Sequence, residues 1–295
     1  MRMATAALLM AVSASAATHC IVISGLGGEP DYDQRFGTWA KELDATLRAT
    51  PDTQVETLAG PNARRENIRA AFENTAKRAK ADDALVVVLL GHGSFDGTEY
   101  KINLPGPDIS ATELASLLER VRAEKQLIVN ATSASGGSVH ALLRQNRTVI
   151  TATKSGTEKN ATVFPRYWIE ALRDAAADTD KNEIISALEA FKFAEAKTKQ
   201  FYDTNKRLAT EHPMLDGGDT NATLAAQRFA LLRIGSIQKA ASDPAKRALL
   251  TKREQLEGEI DRLKFQKAAM PTDEYRKQLQ VLLLELAKTQ AEIDQ

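Results

Sequence analysis

The sequence predicts an α/β fold, with a mainly parallel central sheet between two layers of helices and an α-helical hairpin at the C-terminus. Short apolar, β-branched runs alternate with amphipathic segments from residue 20 to residue 176. Repeated βα units of this kind build a parallel sheet with helices on both faces. From Ala245 the chain becomes charged, glycine-poor and helical instead.

Five segments have the character of strands, and the strongest, residues 84–90, contains only apolar side chains. A strand that is apolar on both faces belongs in the centre of a parallel sheet. Ser110 and Glu113 match a capping box at the start of a helix. The predicted strands cover residues 20–25, 53–58, 84–90, 126–130 and 148–153, and the predicted helices cover residues 34–48, 64–80, 110–121, 138–144 and 164–176.

Composition narrows the class of protein. The 295 residues carry 39 basic and 39 acidic side chains, and Cys20 is the single cysteine. The length supports a substantial core, and the balanced charge argues against nucleic acid as the main partner. One cysteine excludes an internal disulfide and a cysteine-based zinc site. We expect one domain over residues 18–240, followed by a hairpin over residues 245–295.

The N-terminal segment, residues 1–17, has the order of a secretory signal peptide. Arg2 precedes an apolar run over residues 3–12, and small residues follow. The run is about half of the roughly 20 residues that a membrane span needs. We therefore expect cleavage after Ala16 or Ala17 and an exported protein, periplasmic or secreted, that does not span a membrane.

The C-terminal segment has two apolar stripes separated by Pro271. Proline ends the first helix, and Thr272 or Asp273 can cap the second. Two interpretations remain open: a coiled-coil module for self-association or partner docking, and a hairpin folded back on its own domain. The stripes consist of Leu249, Leu256, Ile260 and Leu263, and of Tyr275, Leu279, Leu282, Leu286 and Ile293.

Candidate catalytic residues follow the two most apolar strands. His92 lies between two glycines directly after residues 84–90, and Ser133 follows residues 126–130. In a parallel sheet, sites form outside the carboxyl ends of the strands, so the two side chains meet if their strands are neighbours. The flanking Gly93 exposes the ring and offers a backbone N–H to an oxyanion.

These residues resemble the caspase-like cysteine peptidase clan, nearer its legumain-type and bacterial caspase-like members. The resemblance covers residues 20–219 and rests on the His-Gly-Ser at 92–94 and the Ser-Ala-Ser-Gly-Gly turn at 133–137, about 40 residues later. It implies a caspase-like three-layer sandwich with His92 as the base. Ser133 stands at the position of the nucleophilic cysteine.

The same resemblance implies roles for the surrounding backbone and loops. The N–H groups of Gly93 and Ser133 would form the oxyanion hole. Strand 149–153 and loop 154–160 would form the wall of the substrate pocket. The candidate substrate-binding residues are Thr153, Ser155 and Glu158.

Serine in place of cysteine changes the chemistry that the site requires. A thiol beside histidine is partly ionised, whereas a hydroxyl needs a well-oriented base, usually held by a carboxylate. Asp96 and Glu99 are the nearest acidic residues in sequence after His92. Thr132 and Ser135 are alternative hydroxyls in the same turn. His212, in a turn-rich segment, either lines the site or bonds within its loop.

Two functions follow from this reasoning. The first is an exported peptidase or serine hydrolase that uses a Ser133–His92 dyad on peptide or protein substrates. The second is an inactive relative that binds peptides through its cleft, or acts as a scaffold through its C-terminal helices. Labelling of Ser133 by a serine-directed probe distinguishes them.

A second motif, at residues 178–189, matches the twelve-residue EF-hand loop. Its ligand positions favour a structural calcium ion. Position 6, normally glycine because the loop turns sharply there, is Glu183, which should weaken binding. An acidic loop with Asp178 or Asp180 as a helix cap is the alternative. The candidate ligands are Asp178, Asp180, Asn182, Ile184, Ser186 and Glu189.

Overall fold

The computed structural model describes residues 16–217 and 221–295. Except for Ala16 and Ala17, the predicted signal peptide lies outside these residues. The strands are β1 Thr18–Ser24, β2 Thr53–Leu58, β3 Ala84–Leu90, β4 Gly93–Phe95, β5 Tyr100–Ile102, β6 Ile109–Ser110, β7 Lys125–Asn130, β8 Arg147–Thr151, β9 Ile184–Ser186, β10 Met214–Asp216 and β11 Ala230–Arg233. The helices are α1 Pro30–Arg48, α2 Arg65–Arg78, α3 Ala111–Leu118, α4 Val139–Leu142, α5 Phe164–Ala171, α6 Ala187–Thr204, α7 Ala222–Gln227, α8 Gly235–Ala241, α9 Pro244–Gln266 and α10 Thr272–Asp294.

The central sheet has six strands in the order β10-β8-β7-β3-β1-β2. All neighbours are parallel except β10, which runs antiparallel to β8. Alternate residues of a strand face opposite sides of a sheet, so Val22 packs with helices α1, α5 and α6 while Ile23 packs with α2 and α3. The predicted three-layer α/β sandwich is confirmed.

Local sequence signals explain several element boundaries. Strands β2 and β3 begin and end where the apolar pattern places them. Ser110 caps α3 by accepting the Glu113 N–H at 3.1 Å. The predicted capping box is incomplete, because the Glu113 carboxylate pairs with Arg65 and Arg69 on α2 instead. A complete capping box opens α6.

The short strands do not appear in the sequence prediction. Strands β4, β5 and β6 form a small antiparallel sheet directly after His92. Strands β9 and β11, later in the chain, form a separate two-stranded antiparallel sheet. Each has two to four residues, too few for an alternating pattern to stand out.

Helices α9 and α10 form the predicted hairpin, and α9 contacts the sheet domain. Glu254 pairs with Arg233 at 2.6 Å, and Asp261 accepts a hydrogen bond from Gln227 at 3.0 Å. Helix α10 lies on α9, and its other face is open, with Val281 59% exposed. No helix among the described residues has the length and apolar character of a membrane span. Self-association through α10 stays a prediction.

Candidate functional site

His92 and Ser133 lie at the same edge of the central sheet. Strands β3 and β7 are neighbours, and Leu89 pairs with Asn130 in their register. His92 follows the last residue of β3 by two positions, and Ser133 follows the last residue of β7 by three. The two strands are neighbours, as the sequence predicts, and both residues lie at the same edge of the sheet.

The Ser133 side chain is fixed to the backbone of Gly93. Its Oγ accepts a hydrogen bond from the Gly93 N–H at 3.1 Å and donates one to the Gly93 carbonyl at 3.0 Å. The residue is 2% exposed. A hydroxyl has one proton to donate, so a carbonyl already holds the proton that a base would remove. The Gly93 N–H, expected in an oxyanion hole, is also engaged.

The His92 ring lies against helix α1. It makes edge contacts with Tyr32 and Phe36, at centroid distances of 4.8 and 5.1 Å. Burial lowers the pKa of His92, while a hydrogen bond to the backbone of Gly27 opposes that shift. Within the described residues, no hydrogen bond joins the His92 ring to Ser133. The ring is held by α1 and the loop after β1.

The acidic residues after His92 make their hydrogen bonds elsewhere. Asp96 closes the turn between β4 and β5 by accepting the N–H groups of Thr98 and Glu99, at 2.9 and 2.8 Å. The Glu99 carboxylate accepts the N–H and hydroxyl of Thr112 at the start of α3. Both carboxylates organise loops, and neither holds the imidazole.

The turn that carries Ser133 is tightly packed. Ala134 has a left-handed φ of 54°, and its N–H donates to the Glu158 carbonyl at 2.7 Å. Gly136 approaches the chain after β8 so closely that a Cβ there would lie 2.2 Å from the Ser155 nitrogen. Glycine at position 136 is therefore required for packing against loop 154–160.

The three predicted substrate-binding residues have different surroundings. Thr153 is fully buried, and its Oγ1 accepts the Gly136 N–H at 2.9 Å. Ser155 is half-buried and bonds to Thr157. The Glu158 carboxylate accepts hydrogen bonds from His212, at 2.5 Å from Nδ1. Thr153 therefore supports the turn from inside, while Ser155 and Glu158 lie in the loop beside it.

The ring of Phe95, in β4, packs against the turn that carries Ser133. A Cβ on Gly137 would lie 2.6 Å from its ring, and one on Gly156 would lie 2.3 Å from it. The ring thus packs between two glycines, one from the Ser133 turn and one from loop 154–160. Sequence reasoning missed this contact, because β4 is too short to be recognised.

A buried polar network beneath the turn was also missed. The Tyr100 hydroxyl lies 2.5 Å from Thr132 Oγ1 and 3.2 Å from Asn130 Oδ1, and Asn130 Nδ2 donates to Ser138 at 3.0 Å. Burial raises the pKa of Tyr100 to about 12. A buried asparagine in an apolar strand needs hydrogen-bond partners, and Asn130 was therefore the sequence signal that could have indicated this network.

Loop 178–189 brings three of its candidate ligands together. One carboxylate oxygen from each of Asp178, Asp180 and Glu189 lies within 4.8 Å of the others. Asp178 and Glu189 are buried. The pKa of Asp180 is raised, mainly by its burial and also by the negative charge of Glu189. Asn182 and Ser186 bond within the loop, and the Ile184 backbone lies in β9. Glu183 has a left-handed φ of 62°, the conformation expected for position 6.

The same loop holds the C-terminal helices. Glu183 Oε2 accepts the N–H groups of Ser236 and Ile237 at 2.9 and 3.0 Å, which caps α8. Arg253 of α9 donates to the Asn182 carbonyl at 2.8 Å. The side chain at the glycine position therefore has a structural partner outside the loop.

Comparison with known proteins identifies the fold. Caspase-1 of Spodoptera frugiperda superimposes with a TM-score of 0.50 and 15% identity, over 69% of this chain and 87% of that one. A Geobacter sulfurreducens protein solved by structural genomics superimposes with a TM-score of 0.51 and 10% identity, over 75% of this chain and 100% of that one. The Drosophila initiator caspase Dronc gives a TM-score of 0.45 and 11% identity, over 68% and 79%. No protein-family model and no curated protein matches the sequence.

The chain therefore has a caspase-like fold with additional C-terminal helices. At these identities the likeness shows the fold alone.

Proposed function

We propose that this caspase-fold protein binds a peptide or protein segment at the edge where β3 and β7 end, and does not hydrolyse it. The observation that carries the proposal is the reciprocal hydrogen bonding between Ser133 and Gly93. A serine becomes a nucleophile when a base accepts its proton, and this proton is directed to a carbonyl instead. His92 is turned toward α1, and no carboxylate hydrogen-bonds to its ring among the described residues.

The rim of the site supports binding. Leu26, in the loop that holds His92, is 42% exposed, and Ser94 and Lys154 are exposed beside Gly93 and the Ser133 turn. The polar side chains beneath the turn are hydrogen-bonded to one another and to its backbone, which fixes the turn that carries Ser133. Such an arrangement suits an extended peptide, the ligand class that the caspase-like fold suggests.

A serine-directed probe tests the absence of hydrolysis. The folded protein is treated with a fluorophosphonate and its peptides are mapped. We expect no labelling of Ser133 beyond that of the exposed Ser94, used as the control. Labelling at Ser133 that disappears in His92→Ala would instead establish the Ser133–His92 dyad as a working serine hydrolase. In the Ser133→Cys variant, alkylation of the thiol at position 133 is a second measure of reactivity. Cys20 does not interfere, because burial raises its pKa to about 12 and keeps that thiol from being alkylated.

Peptide binding has its own test. A fluorescent pool of random-sequence peptides is titrated with protein, and polarisation is measured. Leu26→Asp and Lys154→Glu change the rim and should each abolish the increase. Val281→Asp, on the open face of α10, is the control and should leave it unchanged. Equal binding by all variants, or none by the unaltered protein, would contradict the proposal.

The proposal includes a structural calcium ion in loop 178–189. Support comes from the convergence of three carboxylates and from the left-handed backbone at Glu183. Calcium prefers six to eight oxygen ligands, and Asn182, the Ile184 carbonyl and Ser186 stand at the remaining ligand positions. Asp178→Ala should remove a calcium-dependent rise in Tm, whereas Asp273→Ala, at the exposed start of α10, should keep it. Indifference of the unaltered protein to millimolar calcium would show that the loop binds no calcium.

Export is the last part of the proposal. It is supported by Arg2, the apolar run over residues 3–12 and the small residues that follow. Secretion of the full chain into the periplasm or medium, and its retention when residues 3–12 are deleted, is the corresponding test.

A further inference from the structure

A buried carboxylate lies at the beginning of the folded domain. Asp83, 4% exposed, accepts the Ala17 N–H at 2.7 Å on Oδ1. Its Oδ2 accepts the Lys80 N–H at 2.9 Å and lies 3.1 Å from Nε2 of His19. Three donors converge on one acid, and one of them comes from the residue at which the predicted signal peptide ends.

Ala17 is also the first residue held by the sheet. Its carbonyl accepts the Ala84 N–H at 2.9 Å, which extends the β1–β3 ladder, and the Thr18 N–H donates to the Asp52 carbonyl at 3.0 Å. Ala16 is exposed. A cut before Ala17 preserves these contacts, whereas a cut after it removes the Ala17 carbonyl from the ladder and its nitrogen from Asp83.

We propose that the signal peptide is cleaved between Ala16 and Ala17, and that the new α-ammonium group of Ala17 binds the Asp83 carboxylate. The inference rests on the proposed export. A leader peptidase consumes one water, breaks the Ala16–Ala17 bond, and leaves a carboxylate on Ala16 and an amine on Ala17. That amine takes up a proton at neutral pH. Ala14 and Ala16 then occupy the small-residue positions of an Ala-x-Ala cleavage site.

The cleavage strengthens a contact that is already in place. Before it, a neutral amide N–H donates to Asp83, and after it a charged ammonium does. Charge-assisted hydrogen bonds are roughly twice as strong as neutral ones. The interaction is partly buried, so solvent screens it less than a surface pair. Of the two cleavage positions that the sequence leaves open, the one before Ala17 is therefore the one that keeps this contact.

Three forms of the protein test the ammonium contact without any need for export. They begin at Ala16, Ala17 and Thr18 and are released from a fusion partner with authentic N-termini. At pH 7 the Ala17 form should have the highest Tm. Its amine should react with an acylating ester about tenfold more slowly in the folded protein than in urea, because one unit of pKa corresponds to a tenfold change in free amine. The exposed amine of the Ala16 form should show no such protection.

Asp83→Asn in the Ala17 form should restore fast acylation. If that variant does not fold, the comparison between the Ala16 and Ala17 forms decides alone. Equal acylation of the folded Ala16 and Ala17 forms overturns the contact. The intact mass of the protein, from the periplasm or medium and from the cells, decides the cleavage. A secreted chain that begins at Thr18 overturns the position only, whereas a chain that stays in the cells and keeps residues 1–16 overturns export as well.

Discussion

The hydroxyl of Ser133 and the backbone of Gly93 satisfy each other in both directions, at 3.1 and 3.0 Å. The contact joins the turn after β7 to the first residue of β4, and so it links the two elements that carry the candidate catalytic residues. It gives Ser133 a structural role that a catalytic serine, which must release its proton, does not need.

Removal of this hydroxyl should therefore destabilise the fold. Ser133→Ala leaves the half-buried N–H and carbonyl of Gly93 without this partner. We expect a loss of about 1 kcal/mol, the lower end of the roughly 1–3 kcal/mol that a buried unsatisfied group costs. Urea denaturation measures the change in unfolding free energy. Ser94→Ala, on the next, exposed residue of β4, is the matched control and should stay within about 0.5 kcal/mol. An equally small effect at Ser133 would contradict the structural role.

The packing of Phe95 on Gly156 gives a second prediction. An alanine Cβ at 156 would lie 2.3 Å from the Phe95 ring, and overpacking of this kind costs about 1–3 kcal/mol. In the double variant Gly156→Ala/Phe95→Ala the ring contacts at 2.3 Å are removed and only the Cβ of residue 95, at 2.8 Å, remains, so the two effects should be strongly non-additive. Gly37→Ala, where a Cβ meets nothing within 4 Å inside α1, should stabilise by about 1 kcal/mol. Additivity of the pair would show that Phe95 does not pack on Gly156.

The central sheet was predictable because its signals are local. Residues 84–90 contain only apolar side chains, and such a run specifies a buried central strand without reference to the rest of the chain. His92 and Ser133 could be placed at one edge of the sheet for the same reason. Each residue directly follows a strand, so recognising the strand also locates the residue.

The orientation of the two side chains was not predictable in this way. The bond between Ser133 and Gly93 depends on strand β4, whose three residues carry no pattern. The direction of the His92 ring depends on Tyr32 and Phe36, from a helix some 60 residues earlier in the chain. Such contacts between distant segments determine the chemistry of the site, and they produce no recognisable pattern in the local sequence.

Burial of His92 should make stability depend on pH. Its pKa in the folded state is lowered, chiefly by burial. In the unfolded state the pKa is about 6.5. Below that pH the unfolded state therefore binds a proton that the folded state takes up less readily. The contribution of His92 to the unfolding free energy should therefore be constant above that pH and be lost as the pH drops through the folded pKa. Urea denaturation at pH 7.5 and 5.5 measures the difference. His92→Gln should reduce it, and His140→Gln, at an exposed position of α4, should leave it unchanged. A fall of the same size in His92→Gln would show that His92 is not its source.

The last prediction concerns Glu183, which stands where an EF-hand loop has glycine. Its left-handed backbone, φ 62°, would suit glycine better, but its carboxylate caps α8 through Ser236 and Ile237. Hydrogen bonds to charged groups contribute about 1.5–3 kcal/mol each, more than the roughly 1–2 kcal/mol that a left-handed non-glycine residue costs. Glu183→Gly should therefore loosen the C-terminal helices, seen as faster amide hydrogen exchange in α8 and the first turns of α9.

Lys181→Gly is the matched control for that variant. Lys181 lies in the same loop with φ 61°, and its side chain is exposed. Glycine there relieves the same backbone cost without removing a cap, so exchange in α8 should be unchanged or slower. Equal acceleration in the two variants would mean that the loop backbone, rather than the Glu183 carboxylate, holds the helices. Acceleration in Glu183→Gly alone would establish that the departure from the EF-hand pattern joins the C-terminal hairpin to the domain.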